Sequence, residues 1–257
     1  MFDTLNNFST LPRDFKISRV DINPMLKIQN SHLTETQVET ILQQNPESEI
    51  LSDLEELYIG NNNLSDILLN PSVSNLRVLH CDNANLDWFQ IKEILQGIKD
   101  SKALKLEELN ISMNNMKDIN PLLLSEGLHR LKSVNLSGCD ADLSNFIPRL
   151  AFGDSNIQIL NISYHNLSAV YPIVISLALN KCVSVDVTKC RLLDNHLESI
   201  AEGIRKGRLG CQKQQSKLKH LKISKYLHYS FKQVLRRGLG SCSVYKARIV
   251  PYWLTIH

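Results

Sequence analysis

One spacing constrains this chain more than any other feature. It reads apolar, two residues, apolar, one residue, apolar, two residues, a small or polar residue, one residue, apolar. It runs through Leu54, Leu57, Ile59, Asn62 and Leu64, and again through Leu106, Leu109, Ile111, Asn114 and Met116. The same steps recur at Leu76, Leu79, Cys81, Ala84 and Leu86, and at Leu131, Val134, Leu136, Cys139 and Ala141. Further copies are Ile157, Leu160, Ile162, His165, Leu167 and Cys182, Val185, Val187, Cys190, Leu192. Leu218, Leu221 and Ile223 open another. Two looser copies flank the set, Leu26, Ile28, Ser31, Leu33 and Val244, Ala247, Ile249, Tyr252, Leu254. The central apolar-x-apolar step has period two and marks a short strand with one buried face. The residue in the following slot stands where the chain turns away, and an Asn amide there satisfies backbone groups that the turn leaves unpaired. A Cys thiol fits the same slot and is a weak donor.

After the turn the period changes. Residues 34–44, 87–99 and 194–206 carry helical patterns; in the second, Ile91, Ile94, Leu95 and Ile98 share one helix face. Each unit is therefore a strand followed by a helix or a looser return segment. Strands stack about 4.8 Å apart and helices roughly 8–10 Å apart, so such a stack is expected to curve with its strands inside. Unit types also alternate. The slot holds Asn, Asn and His in the units beginning at Leu54, Leu106 and Ile157, but Ala, Cys and Cys in those beginning at Leu76, Leu131 and Cys182. The Ala and Cys units are generally expected to carry the better helices.

This alternating spacing resembles the leucine-rich repeat family, and within it the ribonuclease-inhibitor-like subfamily that also supplies the sensor region of NOD-like receptors. The resemblance covers roughly residues 23–257. It implies an α/β leucine-rich repeat solenoid, a curved horseshoe of about nine units with parallel strands on the concave face and helices or loose return segments on the convex face. Residues 1–22 are then an N-terminal cap or a truncated end, with Phe15 to Asn23 as an edge strand. A basic loop is expected near 206–217. The units are shorter than the inhibitor's and poorer in Cys and Trp, so tight ribonuclease inhibition is not expected.

Charge is divided unevenly. Up to Glu202 there are 16 Lys and Arg against 26 Asp and Glu, a balance of −10; from Gly203 onward there are 13 basic residues and no acidic one. The nearly apolar run from Ala169 to Leu179 is short and contains Pro172, which excludes a membrane span there, and the amino end lacks a signal-like apolar core. The six Cys residues form no CxxC pair, which points to neither zinc nor a disulfide framework and fits the cytoplasm. Neither a phosphate-binding GxxxxGK[ST] loop nor an HExxH motif occurs, so the expectation is a non-enzyme without cofactor or metal.

Recognition is expected from the outward residues between the apolar strand positions. One column reads Lys27, Tyr58, His80, Asn110, Asn135, Asn161, Asp186, Lys222, Arg248; its neighbour reads Gln29, Gly60, Asp82, Ser112, Ser137, Ser163, Thr188, Ser224, Val250. Glu55, Glu56, Asp82, Glu107 and Glu108 charge the early units, and Lys219, Lys222, Lys225, Lys246 and Arg248 the late ones. The expected role is a protein-protein interaction scaffold, a monomer that binds a protein partner on the concave face through Tyr58, His80, Asp82, Asp186, Lys222 and Lys225. The alternatives are nucleic-acid association through the basic C-terminal region, or regulation of a small GTPase. Cys139, Cys190 and His165 are expected to be structural turn residues, Trp88 to pack between units and Trp253 to cap the last one.

Overall fold

The computed structural model describes residues 25–27, 54–65, 75–100, 105–208, 216–224, 233, 248–250 and 253–255. It is an α/β architecture of short parallel strands and helices in repeat-like succession, divided into two compact units, Met1–Met116 and Lys117–His257. The expected edge strand before Asn23 and the helix over 34–44 lie outside the described residues.

In the first unit, β1 (Met25–Lys27), β2 (Glu56–Tyr58), β3 (Val78–His80) and β4 (Glu108–Asn110) pair in parallel, so that Leu57, Leu79 and Leu109 stand side by side. Each strand is only three residues long, but the ladder runs past its end. The Ile59 amide donates to the His80 carbonyl at 2.8 Å and the Asn61 amide to the Asp82 carbonyl at 2.8 Å. In the second unit β5 (Ser133–Asn135), β6 (Ile159–Asn161), β7 (Ser184–Asp186) and β8 (His220–Lys222) pair in parallel, placing Val134, Leu160, Val185 and Leu221 in one row. The last expected copy does not continue that row. β9 (Arg248–Val250) and β10 (Trp253–Thr255) are antiparallel to each other, and β10 is antiparallel to β8. Pro251 and Tyr252 are all that separate these two strands, too few residues for a parallel crossover, which needs a dozen or more.

Helices follow the turns: α1 (Trp88–Asp100) in the first unit, and α2 (Pro121–Leu128), α3 (Phe146–Phe152), α4 (Pro172–Lys181) and α5 (Asp194–Arg208) in the second. Local chemistry sets their starts. Asp87 and Gln90 form a reciprocal box before α1, each backbone N–H donating to the other's side chain at 2.9 Å. Asn120 caps α2 by accepting from the Leu122 amide at 2.8 Å, with Pro121 in the first turn. The buried face of α1, Gln90, Ile91, Ile94, Leu95 and Ile98, follows the expected stripe. Leu57, Leu79, Leu109, Val134 and Leu160 are also buried, and truncating one such residue to Ala costs about 2–5 kcal/mol.

Among the described helices the two longest, α1 and α5, follow Ala and Cys slots as generally expected. The Cys139 unit is the exception: its α3 is the shortest of the described helices, because Gly153 leaves the helical region at φ −88°, ψ 178° and ends it. The basic stretch at 206–217 is not all loop, since Lys206 to Arg208 extend α5; residues 209–215 lie outside the described residues.

The alternation of unit types has a backbone cause. Each of the six units whose slot is described places a left-handed residue just before it: Asn61, Asn83, Met113, Gly138, Tyr164 and Lys189, all at φ between 47° and 69°. The Ala and Cys units place a second one just after it, Asn85, Asp140 and Arg191 at φ 55°, 53° and 52°. An Asn or His slot is thus flanked by one left-handed residue, an Ala or Cys slot by two. The slot side chain tracks this difference. Asn114 Nδ2 donates to the carbonyls of Ile111 at 3.0 Å and Cys81 at 2.9 Å, while its Oδ1 accepts from the amides of Ala84 and Leu86, each at 3.0 Å. Cys190 Sγ bonds the preceding rung at the Ile162 carbonyl, 3.0 Å, and its own turn only through a long contact to the Thr188 carbonyl at 3.8 Å.

Candidate functional site

Because strand side chains alternate, each rung turns one set into the core and the other to the opposite sheet face, where neighbours in turn cover some of them, Glu56, Val78, Ser112 and Ser163 among these. Three columns result, not two. In the first unit they are Glu56, Val78, Glu108; then Lys27, Tyr58, His80, Asn110; then Gly60, Asp82, Ser112. In the second they are Ser133, Ile159, Ser184, His220; then Asn135, Asn161, Asp186, Lys222; then Ser137, Ser163, Thr188, Ser224. The first column was not read from the sequence as a column. Glu56 and Glu108 register there only as charge, although the same period-two rule places them.

On the first unit the side chains interlock. The Tyr58 hydroxyl donates to Glu56 Oε2 at 3.0 Å, and the Arg77 guanidinium bonds the other oxygen of Glu56. Burial, reinforced by that bond to Glu56, pushes the Tyr58 hydroxyl pKa up to about 12. His80 meets the Tyr58 ring edge-on, with centroids 4.6 Å apart and planes at 73°, and Lys27 Nζ sits 4.6 Å from the centre of the Tyr58 ring. His80 Nε2 lies 2.7 Å from Glu108 Oε1, and this hydrogen bond is the main reason the Glu108 carboxyl is held below the usual range. Asn110 Nδ2 donates to Asp82 Oδ1 at 2.9 Å. That carboxylate lies across Gly60, where a Cβ would stand 2.6 Å from its Oδ1, so no larger residue fits there without moving it. Three expected contacts, Tyr58, His80 and Asp82, are thereby brought onto two adjacent strands.

The second unit is quieter. Asp186 and Lys222, expected as separate contacts, form an ion pair at 2.9 Å across β7 and β8. Asn135 and Asn161 turn inward along their own strands, accepting from the amides of Ser137 and Ser163, each at 3.1 Å, and the two Ser hydroxyls bond each other at 2.7 Å. Ile159 is 53% exposed among these short polar groups. Lys225 lies outside the described residues.

The residues read as structural mostly behave so. Cys139 and Cys190 are buried, and burial pushes the Cys190 thiol pKa up to about 12. His165 is also buried and its pKa falls because burial disfavours the cation. It is only half satisfied, however: Nδ1 lies 3.0 Å from the Ile162 carbonyl, whereas Nε2 has no partner. Trp88 corrects its expectation, being 49% exposed at the start of α1. Trp253 falls on β10, and its side chain lies outside the described set. His196 went unremarked in the sequence. It accepts from the Leu193 amide at Nδ1, 2.9 Å, so its Nε2 carries the proton and donates to the Val170 carbonyl at 2.8 Å, pinning the start of α5.

A cleft of about 400 Å³ in the second unit is lined by Asp154, Asn156, Asn180, Lys181, Ser216 and Lys217. Its polar groups close chain segments together: Lys181 Nζ donates to the Gly153 carbonyl at 3.0 Å and the Lys217 amide to the Asn180 carbonyl at 2.9 Å. The sheet face remains the surface where unlike side chains converge. Among the described residues no group of three or more His, Cys, Asp or Glu stands placed to hold a metal ion, and no helix is long and apolar enough to cross a membrane. Compared with known proteins, the chain matches none of the family models and none of the curated proteins searched.

Proposed function

We propose that this chain is a leucine-rich repeat solenoid of the ribonuclease-inhibitor-like kind, acting as a non-catalytic scaffold that binds a protein partner on its concave, strand-lined face. The repeating left-handed turn, the two alternating slot chemistries and the strand register support the repeat assignment. The observation that carries the binding role is the set of side-chain columns on the sheet face opposite the buried strand positions, aromatic and charged in the first unit, short and polar around Ile159 in the second. An open array suits a macromolecule, whereas a small metabolite is held in an enclosed pocket. The buried cysteines Cys81, Cys139, Cys182 and Cys190 suit a reducing compartment such as the cytoplasm.

The test has two steps. A partner is first recovered by affinity capture from native cells, and its purified form is then titrated against Asn161→Arg on the sheet face and Glu198→Arg on α5. The sheet-face reading expects the first substitution to weaken binding at least about tenfold and the second to leave it unchanged. The reverse pattern overturns it. The acid-free stretch from Gly203 favours one second reading, nucleic-acid association, whose mark is an affinity that falls steeply with salt.

A further inference from the structure

Resting on the sheet-face reading, we infer that the first unit receives a cationic segment of the partner, whose lysine or arginine side chains seat beside the Tyr58–His80 ring pair and on the carboxylates of Asp82 and Glu108. The charge on this face is unequal. Among the described residues, three carboxylates, Glu56, Asp82 and Glu108, share it with two cations, Lys27 and Arg77, and Arg77 is engaged with Glu56. A partner anion here meets like charge; a partner cation meets complementary charge.

The shape of the cluster selects a cation independently of the charge count. The face of the Tyr58 ring already carries an ammonium, that of Lys27, which shows how this aromatic group is presented to a positive charge. The neighbouring carboxylates are fixed by donors and need no reordering: Asp82 by Asn110 on Oδ1, with its second oxygen free of any such bond among the described contacts, and Glu108 by His80. Glu108, held below the usual carboxylate range, stays ionised at neutral pH. Gly60 completes the arrangement, because the Asp82 carboxylate spans a strand that carries no side chain of its own at that level. Among its described residues the second unit offers no equivalent. Its Asp186 is paired with Lys222, and its other sheet-face positions are chiefly Asn, Ser, Thr and Ile.

The test uses the full chain and two labelled peptides of equal length, one of arginine, lysine and serine, one of glutamate, aspartate and serine, followed by fluorescence anisotropy at low and high salt. The basic peptide is expected to bind saturably, more weakly as salt rises. Asp82→Asn and Glu108→Gln are each expected to weaken it about fivefold to tenfold, since each removes a charge-assisted hydrogen bond. Tyr58→Phe keeps the ring and retains binding, Tyr58→Leu loses it, and Glu198→Gln, an equal charge change on α5, has no effect. Circular dichroism checks that each variant is folded. No saturable binding of the basic peptide, equal affinity across all variants, or acidic-peptide binding that Asp82→Asn strengthens overturns the inference. Failure here is separable from failure of the scaffold reading: a partner lost on Asn161→Arg but retained on the Asp82→Asn, Glu108→Gln double variant removes only the cationic assignment.

Discussion

Asn114→Ala is the most demanding test of the repeat chemistry. The amide of Asn114, 4% exposed, ties its own turn to the preceding rung through donors to Ile111 and Cys81 and acceptors from Ala84 and Leu86. Alanine removes these bonds, together with a longer one to the Ser112 carbonyl at 3.3 Å, and strands two amides where water does not replace the lost acceptor. A buried donor left unsatisfied costs about 1–3 kcal/mol, so the two amides together predict a loss of about 2–6 kcal/mol. Asn114→His separates the contributions. His165 shows that an imidazole fits this slot, bonding its own turn while leaving Nε2 without a partner, so the His variant should fall between wild type and Ala. Urea denaturation followed by far-ultraviolet circular dichroism gives the stability change, and amide hydrogen exchange at Ala84 and Leu86 gives its location. The reasoning fails if the Ala variant loses less than about 1 kcal/mol and both amides keep their protection.

Two further predictions concern the packing and charge around these units. The folded pKa of Glu108 lies below its ordinary value of 4.5, so the pair with His80 stabilises the fold above that value, and the contribution is lost as pH falls through the lowered one. His80→Phe should return Glu108 toward ordinary titration by carboxyl NMR and flatten the acid limb of stability; an unchanged titration contradicts the assignment. Gly203→Ala places a Cβ 2.3 Å from Ser176 Oγ and 2.6 Å from Asn180 Nδ2, where α5 packs on α4. It should lower stability by about 1–3 kcal/mol, with partial recovery on adding Ser176→Ala; thermal denaturation of the two variants checks both statements.

Much of this was legible in the chain because it is local and repeated. Leu57, Leu79 and Leu109 pair as their spacing demands, and the α1 and α5 patterns fall on helices at nearly the expected bounds. What could not be read depends on contacts that spacing does not encode. Met113, Tyr164 and Lys189 occupy left-handed positions that would have been signalled by Asn or Gly, as at Asn61, Asn83 and Gly138, so the turn is visible only where the residue suits it. The antiparallel return of β10 onto β8 was masked by an apolar pattern indistinguishable from another parallel copy. At the candidate site the individual residues were legible but their partners were not. His80 with Glu108 and Asp186 with Lys222 are separated by 28 and 36 positions in sequence and meet only because the strands lie in register. Arg77, one residue before β3, gave no periodic signal at all.

Hydroxyl-radical footprinting of the protein with and without its captured partner tests the sheet-face claim most directly. Ile159, 53% exposed on the sheet face, should lose reactivity in the complex, while Phe152 and Tyr171, 68% and 77% exposed beside the helices, should react as before. Protection of Phe152 and Tyr171 with Ile159 unchanged would place the partner on the helix side and contradict the account.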